Sequence, residues 1–273
     1  MQNLQTNAAT QAASANNQSA ARGAFGPAVL SAAVSVTGAQ QNELLRALDR
    51  ADLERLFAHL ELVVLPAGKK LFDCGDKIDY SYFPTNAIVS LMYVMEDGAS
   101  TEIAVVGREG VVGVALFEAE RATCSAVVQI AGYGYRLHTS FLREVFYEGG
   151  ALAQLLMRYN SALFAQLAQN VVGGRHCTIE QKLCRWLLDR LDRSLSPDIK
   201  VTQDSMANML GVRRESITAT ACKLQDEGLI EYSRGKVTVL DREGLELSAG
   251  TCYRAAKAGY EQMQAQIHTP MHN

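Results

Sequence analysis

The sequence predicts an α+β fold: an antiparallel, jelly-roll-like β-roll, then one long helix, then a winged helix-turn-helix. Three observations carry this. Between Leu62 and Leu137 short Val/Ile/Leu/Tyr runs are broken by turn residues about every 7 to 12 positions. From residue 141 to 172 the apolar residues recur at three- and four-residue steps instead. Beyond residue 200 a capping Thr, a Gly turn and two short strand runs follow one another closely.

Eighteen of the first twenty residues are Gln, Asn, Ala, Ser or Thr, and the first charge is Arg22. Such a stretch cannot offset its ordering entropy by burial, so residues 1–38 are expected to be a disordered tail. A helix should start near Gln40, since Leu44, Leu45, Leu48, Leu53, Leu56, Phe57 and Leu60 keep helical spacing. The strands that follow are punctuated by Pro66-Ala67-Gly68, Gly75-Asp76, Pro84, Asp97-Gly98, Gly107, Gly110, Gly113 and Gly132-Tyr133-Gly134, which places the roll within residues 39–149. Over residues 150–176, Leu152, Leu156, Tyr159, Leu163, Gln166 and Asn170 step 4-3-4-3-4 like a coiled-coil seam. A lone helix would leave Leu152, Leu156, Tyr159 and Leu163 facing water, so they are the expected homodimer interface.

The next helix spans about Thr178 to Asp192, with Leu183, Trp186, Leu187 and Leu191 on its apolar face, and Ser196-Pro197-Asp198 follows its end. Thr202 caps a helix through Leu210, Gly211 makes the turn, and a second helix runs from about Arg213 to Glu227 before Gly228. Leu229–Tyr232 and Lys236–Leu240, joined through Ser233-Arg234-Gly235, read as a hairpin. Residues 177–245 thus form the winged domain, and 246–273 a C-terminal extension.

With 273 residues, 48% hydrophobic and 20% charged, the chain can bury two ordinary cores. A net charge of -3 excludes a protein that coats nucleic acid by bulk charge but leaves room for a local basic surface. The six cysteines contain no C-x-x-C pair, so no metal site is expected. No segment approaches the roughly 18 apolar residues of a membrane span, and no basic-then-apolar leader opens the sequence, so a cytoplasmic protein with reduced thiols and no membrane partner is expected. There is no Gly-rich phosphate loop, no G-x-S-x-G and no H-E-x-x-H, and none of the five His has catalytic spacing. No catalytic residue is assigned, and an enzyme is not expected.

Gln203 to Leu224 has helix-turn-helix spacing. Ala207 is small where the two helices cross, Gly211 is the turn, and Met206, Leu210, Val212, Ile217, Ala221 and Leu224 form the shared core. Lys200, Arg213, Arg214 and Lys223 against Asp204 and Glu215 leave a local charge of +2 on an acidic chain. A pair of helices that only packs is the competing reading, and the hairpin that follows argues against it.

Leu65 to Asp76 (LPAGKKLFDCGD), Glu109 to Phe117 (EGVVGVALF), the helix-turn-helix and the tail from Asp241 to Glu246 (DREGLE), with Cys252-Tyr253 beyond, together resemble the Crp/Fnr family of bacterial transcription regulators. The resemblance spans residues 50–242. It implies a sensor roll, a dimer helix, a two-fold symmetric double-stranded DNA operator and RNA polymerase as a further partner.

It also places Arg214-Glu215 at the family's Arg-Glu pair, where Arg donates to guanine O6 and N7 and Glu accepts from cytosine N4. Arg213 and Ser216 suit phosphates, and Thr202, Thr218 and Lys223 complete the expected DNA-facing set. The family's second Arg falls on Ala219, so one base contact is missing. The cyclic-nucleotide partners fall on Val114 and on Cys124-Ser125, which supply neither a ribose acceptor nor a charge for the phosphate. Cyclic AMP is therefore not the expected effector, whose identity stays open. The four-cysteine iron-sulfur arrangement has no counterpart. His59 or His138 as haem ligands and Cys74 or Cys124 as oxidant sensors each lack an identifiable partner, and no cofactor is expected; Cys222, seven residues after Glu215, is placed for oxidation near DNA, with burial beside Leu224 as the competing reading. The competing function is a roll acting through protein contacts alone, which Arg214-Glu215 and the wing count against.

Overall fold

The computed structural model describes residues 35–96, 98–114, 121–194 and 196–268. The polar stretch up to residue 34 lies outside them. From Ser35 the chain is folded, earlier than composition suggested: Ser35 caps α1 (Val36–Ala39) by accepting from the Gly38 N–H at 2.9 Å. Ala39 is fully buried and Val36 packs on the same cluster, contacts that offset the ordering of residues 35–38. The single helix expected from Gln40 is two, α2 (Glu43–Arg46) and α3 (Arg50–Phe57), because two capping side chains restart it. Asn42 accepts from the Leu44 and Leu45 N–H groups while its amide donates to the carbonyls of Pro84 and Gly110, both at 2.9 Å. Asp49 accepts from the Asp52 N–H at 2.8 Å.

The roll has seven strands among the described residues: β1 (Glu61–Leu65), β2 (Lys70–Phe72), β3 (Tyr80–Pro84), β4 (Ile88–Val94), β5 (Ser100–Val106), β6 (Ser125–Ile130) and β7 (Gly132–His138). They form two antiparallel sheets, ordered β1-β7-β3 and β2-β6-β4-β5. Val63, Leu65, Phe72, Val89, Val106, Val112, Ala126 and Val128 fill the space between them. Gly113 has φ +79°, and a Cβ there would stand 2.8 Å from the Tyr80 carbonyl, so glycine alone fits this turn beside β3.

Helix α4 (Thr139–Glu148) leaves the roll, Gly149 and Gly150 turn the chain, and α5 (Ala151–His176) follows. The faces of α5 are not as expected. Leu152, Leu156 and Tyr159 are at most 3% exposed within their own chain, packed with Leu155 against Phe83, Val111, Tyr135, Met263 and Ile267, and Leu163 lies partly buried beside them. The roll and the far end of the chain already cover what was read as the dimer seam. A second stripe, Met157, Ser161, Phe164, Ala168, Val171 and Arg175, faces solvent at the same 4-3 spacing, with Phe164 and Val171 each 73% exposed.

Thr178 and Gln181 form a capping box that opens α6 (Ile179–Arg193). Then come β8 (Asp198–Lys200), α7 (Gln203–Leu210), α8 (Arg214–Asp226), β9 (Ile230–Ser233), β10 (Lys236–Val239), α9 (Arg242–Ala249) and α10 (Thr251–His268). The wing sheet is ordered β8-β10-β9 and shares a core of Leu183, Trp186, Leu187, Ile199, Met206, Ile217, Leu224, Ile230, Val237 and Leu245. As far as residue 268, the extension is two packed helices: α9 lies on α6, and α10 runs back along α5 to bury Met263 and Ile267 in the cluster around Leu156. Cys177 and Cys252, expected as reduced thiols, form a disulfide with Cα atoms 6.4 Å apart, because the return of α10 brings together residues 75 apart in sequence. Among the described residues no helix is long and apolar enough to cross a membrane.

Candidate nucleic-acid interface

The interface is built on a tight turn. The Thr202 hydroxyl accepts from the Ser205 N–H at 3.1 Å and starts α7. Gly211 ends it with φ 63° and ψ 39°, a left-handed conformation that glycine adopts without strain. The Val212 N–H then donates to the Ala207 carbonyl at 3.0 Å, and α8 begins with no side-chain cap at Arg213. The first turn of α8 therefore carries no side-chain cap on its N–H groups. Ile217, Ala221 and Leu224 anchor α8 in the core, which turns Arg214, Glu215, Ala219 and Cys222 to solvent. Cys222 is exposed, so the burial considered for it beside Leu224 does not occur; Leu224 is on the opposite, core-facing side.

The other expected contact residues are not equally available. Arg213 and Arg214 are exposed, and Arg214 Nε lies 3.3 Å from Asp204 Oδ1 in a pair that is more than 60% exposed on both sides. Thr218 is half-buried, its hydroxyl donating to Gln203 Oε1 at 2.7 Å, and Ser216 is half-buried with its carbonyl accepting from the Thr220 hydroxyl. Thr202 is exposed but engaged as the α7 cap. Lys223 turns toward α6, with Nζ 2.5 Å from Glu180 and 3.8 Å from Glu227, and the hydrogen bond to Glu180 raises its pKa. The structure adds Arg234. It sits exposed at the wing tip with φ 50° beside Gly235 at φ 74°, two consecutive left-handed residues in a two-residue hairpin turn. The Ser-Arg-Gly signal was visible in the sequence as a turn; its cation was not read as a contact.

The expected effector residues lie apart from this surface. Val114 packs, partly buried, on the cluster around Leu156, and the residues beyond it to 120 lie outside those described. Burial, and next to it the neighbouring Cys74, push the Cys124 thiol above its ordinary pKa. The Ser125 hydroxyl accepts from the Cys74 N–H at 3.2 Å and helps hold the Asp73 carboxyl below its usual range, after Lys70. His59 stacks on Phe141 at 3.9 Å and His138 contacts Ser140 at 2.9 Å.

The winged domain is clasped to the roll. Arg190, stacked over Trp186, pairs with Glu102 on β5, and Arg193 Nε donates to Glu109 Oε1 at 2.7 Å. All four side chains are at most 8% exposed. Burial lowers the Arg190 pKa, whereas for Arg193 the Glu109 and Asp189 carboxylates overcome the same desolvation and raise it. The α7–α8 turn meets the β4–β5 hairpin: a Cβ added at Gly211 would be 2.7 Å from Thr101 Oγ1.

A family model described as a Crp-like helix-turn-helix domain matches residues 181–247. Among curated proteins, the global nitrogen regulator of Synechococcus elongatus is 23% identical over 196 residues, covering 67% of this chain and 86% of that protein. Among solved structures, FixK2 from Bradyrhizobium japonicum superposes with a TM-score of 0.61 at 13% identity, covering 70% of this chain and 98% of FixK2. A Crp/Fnr-family transcriptional regulator from Eubacterium rectale gives 0.62 at 16% identity, covering 77% and 99%.

Proposed function

We propose that the chain is a transcriptional regulator of the Crp/Fnr type, a reading supported by the Crp-like helix-turn-helix match over residues 181–247 and by the similar relatives, and that two copies of it read a two-fold symmetric operator through α8. The observation that supports this most is the solvent face of α8, which carries Arg214 and Glu215 directly after the left-handed turn at Gly211. Arg214 reads a guanine, Glu215 a cytosine, and Arg213 with the uncapped helix start and the wing's Arg234 holds phosphates. Lys223 and Thr202 contribute only if they leave Glu180 and the α7 cap.

The second copy docks on α5 through Met157, Ser161, Phe164, Ala168 and Val171. This stripe repeats every seven residues, so it is self-complementary about a two-fold axis, and its small Ser161 and Ala168 admit close approach. The pairing would set two α8 helices to half-sites about 34 Å apart, one turn of DNA. The roll, residues 39–149, is the sensing part, and RNA polymerase the partner at a promoter.

Cyclic AMP and cyclic GMP are not its ligands in this reading, because Val114 and Cys124 offer a ribose and a phosphate nothing to replace their hydration. Calorimetry should show no micromolar binding of either nucleotide; binding abolished by changes at Cys124 would reverse this assignment.

In vitro selection from random duplexes with the purified protein tests the whole reading. A recovered inverted repeat with a G·C pair in each half is expected. Selection that returns no motif would favour a roll acting through protein contacts.

A further inference from the structure

The Cys177–Cys252 bond closes a loop that contains α6 through α9, the entire winged domain, and nothing of the roll. Cys177 is the residue at which α5 gives way to α6, in an extended conformation between two helices. Cys252 lies in the first turn of α10, two residues past Gly250, whose φ of 58° and ψ of -134° break α9 from α10. These are the two places where the chain enters and leaves the winged domain. Since α10 packs along α5, the bond pins both connections to one base.

We propose that Cys177 and Cys252 are a thiol–disulfide regulatory site that, when oxidised, holds the winged domain closed on the roll and weakens DNA binding. The proposal rests on the reading of α8 as the DNA-contacting helix. With the thiols reduced the two connections can shift independently, whereas bonded together they move only as one, which narrows the range over which the domain can swing. In the arrangement seen, that restraint works with the Arg190–Glu102 and Arg193–Glu109 pairs and with Asn170, which joins α5 to the Ile103 carbonyl of β5 at 2.8 Å and to Arg185 of α6. The closed domain faces Tyr93, Met95 and Thr101 of the roll across a cleft from Asn208, Gly211 and Arg213, so the hairpin occupies the side from which a DNA strand would reach Arg213.

The bond is open to chemistry. Cys177 lines a cleft with Lys182 and Arg185, whose charges favour a thiolate, and both cysteines are partly exposed. A low-molecular-weight disulfide of the glutathione class is the oxidant: one protein thiolate attacks it and expels a small thiol, and the other protein thiolate attacks the mixed disulfide and expels the second. Two protein thiols and one small disulfide become one protein disulfide and two small thiols, with the reverse under a reducing pool.

The test uses the full chain, reduced with dithiothreitol or oxidised with glutathione disulfide, on its selected operator. Tryptic mapping should recover a Cys177–Cys252 cross-link only after oxidation, and operator affinity should fall at least about tenfold, as expected when the competent population is depleted. Cys177→Ser and Cys252→Ser should each bind at the reduced level under both conditions, while Cys222→Ser should keep the full response. Equal affinities, absence of that cross-link, or loss of the response in Cys222→Ser would overturn the proposal. If neither form binds DNA, the reading of α8 fails; hydrogen exchange around Gly211 then decides the lock, which is refuted if exchange there is the same in both forms.

Discussion

Arg213 and Arg214 are adjacent, yet one stands before the helix and the other on its first turn, so their substitutions should separate. Arg214→Ala is expected to cost about 1–3 kcal/mol per half-site on the operator and to relax preference at one base pair. The lost pair to Asp204 cannot mimic this, since it is exposed on both sides and pairs of that kind contribute little to stability. Arg213→Ala should weaken all sequences alike and lower the salt slope by about 1 per subunit. Binding-site selection and salt titration on both variants check this; an altered base preference in Arg213→Ala alone would shift the register by one residue. Arg214 and Glu215 were legible as exposed residues on the first turn of α8, because a helix-turn-helix fixes its own spacing within about twenty residues. Lys223 was not, because its partner Glu180 lies 43 residues away on another helix. Neither was the pairing of Cys177, whose partner is brought to it only by the return of α10.

Helix α5 carries two apolar stripes of the same spacing, and their substitutions should have opposite consequences. Phe164→Glu or Ala168→Glu should leave the fold intact and turn a dimer into a monomer, with operator affinity falling in step; sedimentation at micromolar concentration reads the difference. Leu156→Ala should instead lower unfolding free energy by about 2–5 kcal/mol, because the side chain is fully buried in its own chain. If Phe164→Glu sediments as the parent does, the second copy sits elsewhere. Periodicity identified the helix, and the 4-3 repeat was real, but a repeat describes an angle around the helix and not what lies at that angle. The two stripes could be told apart only once the roll and α10 were seen to cover one of them. The same limit explains α2 and α3: the leucine spacing was helical, while Asn42 gained its role from the distant carbonyls of Pro84 and Gly110.

The two halves of the molecule are joined by buried charge. Glu109→Ala would leave the Arg193 guanidinium without its carboxylate, and removing one member of a buried pair costs about 3–5 kcal/mol. Urea unfolding should show that loss if the domain stays closed; a loss below about 1 kcal/mol would mean that the domain has opened and rehydrated the arginine. None of this clasp was visible in the sequence, since its partners lie 84 and 88 residues apart and each Arg looks like a solvated helix charge. The roll and the winged domain were visible because their turn punctuation and helix-turn-helix spacing are read over short windows, even though the roll's strands pair across long stretches of chain, as β1 does with β7. The reach of α10 has a consequence for how the protein is made. Gln264 touches Glu43, 221 residues earlier, and Met263 and Ile267 complete the cluster that Leu44 and Leu45 begin. On the ribosome the roll emerges first, but one flank of Leu152 and Leu156 stays wet until almost the whole described chain has been translated. The roll and α5 emerge before the winged domain yet are finished after it, and the apolar flank of α5 that waits for α10 is the surface a chaperone would hold during that interval.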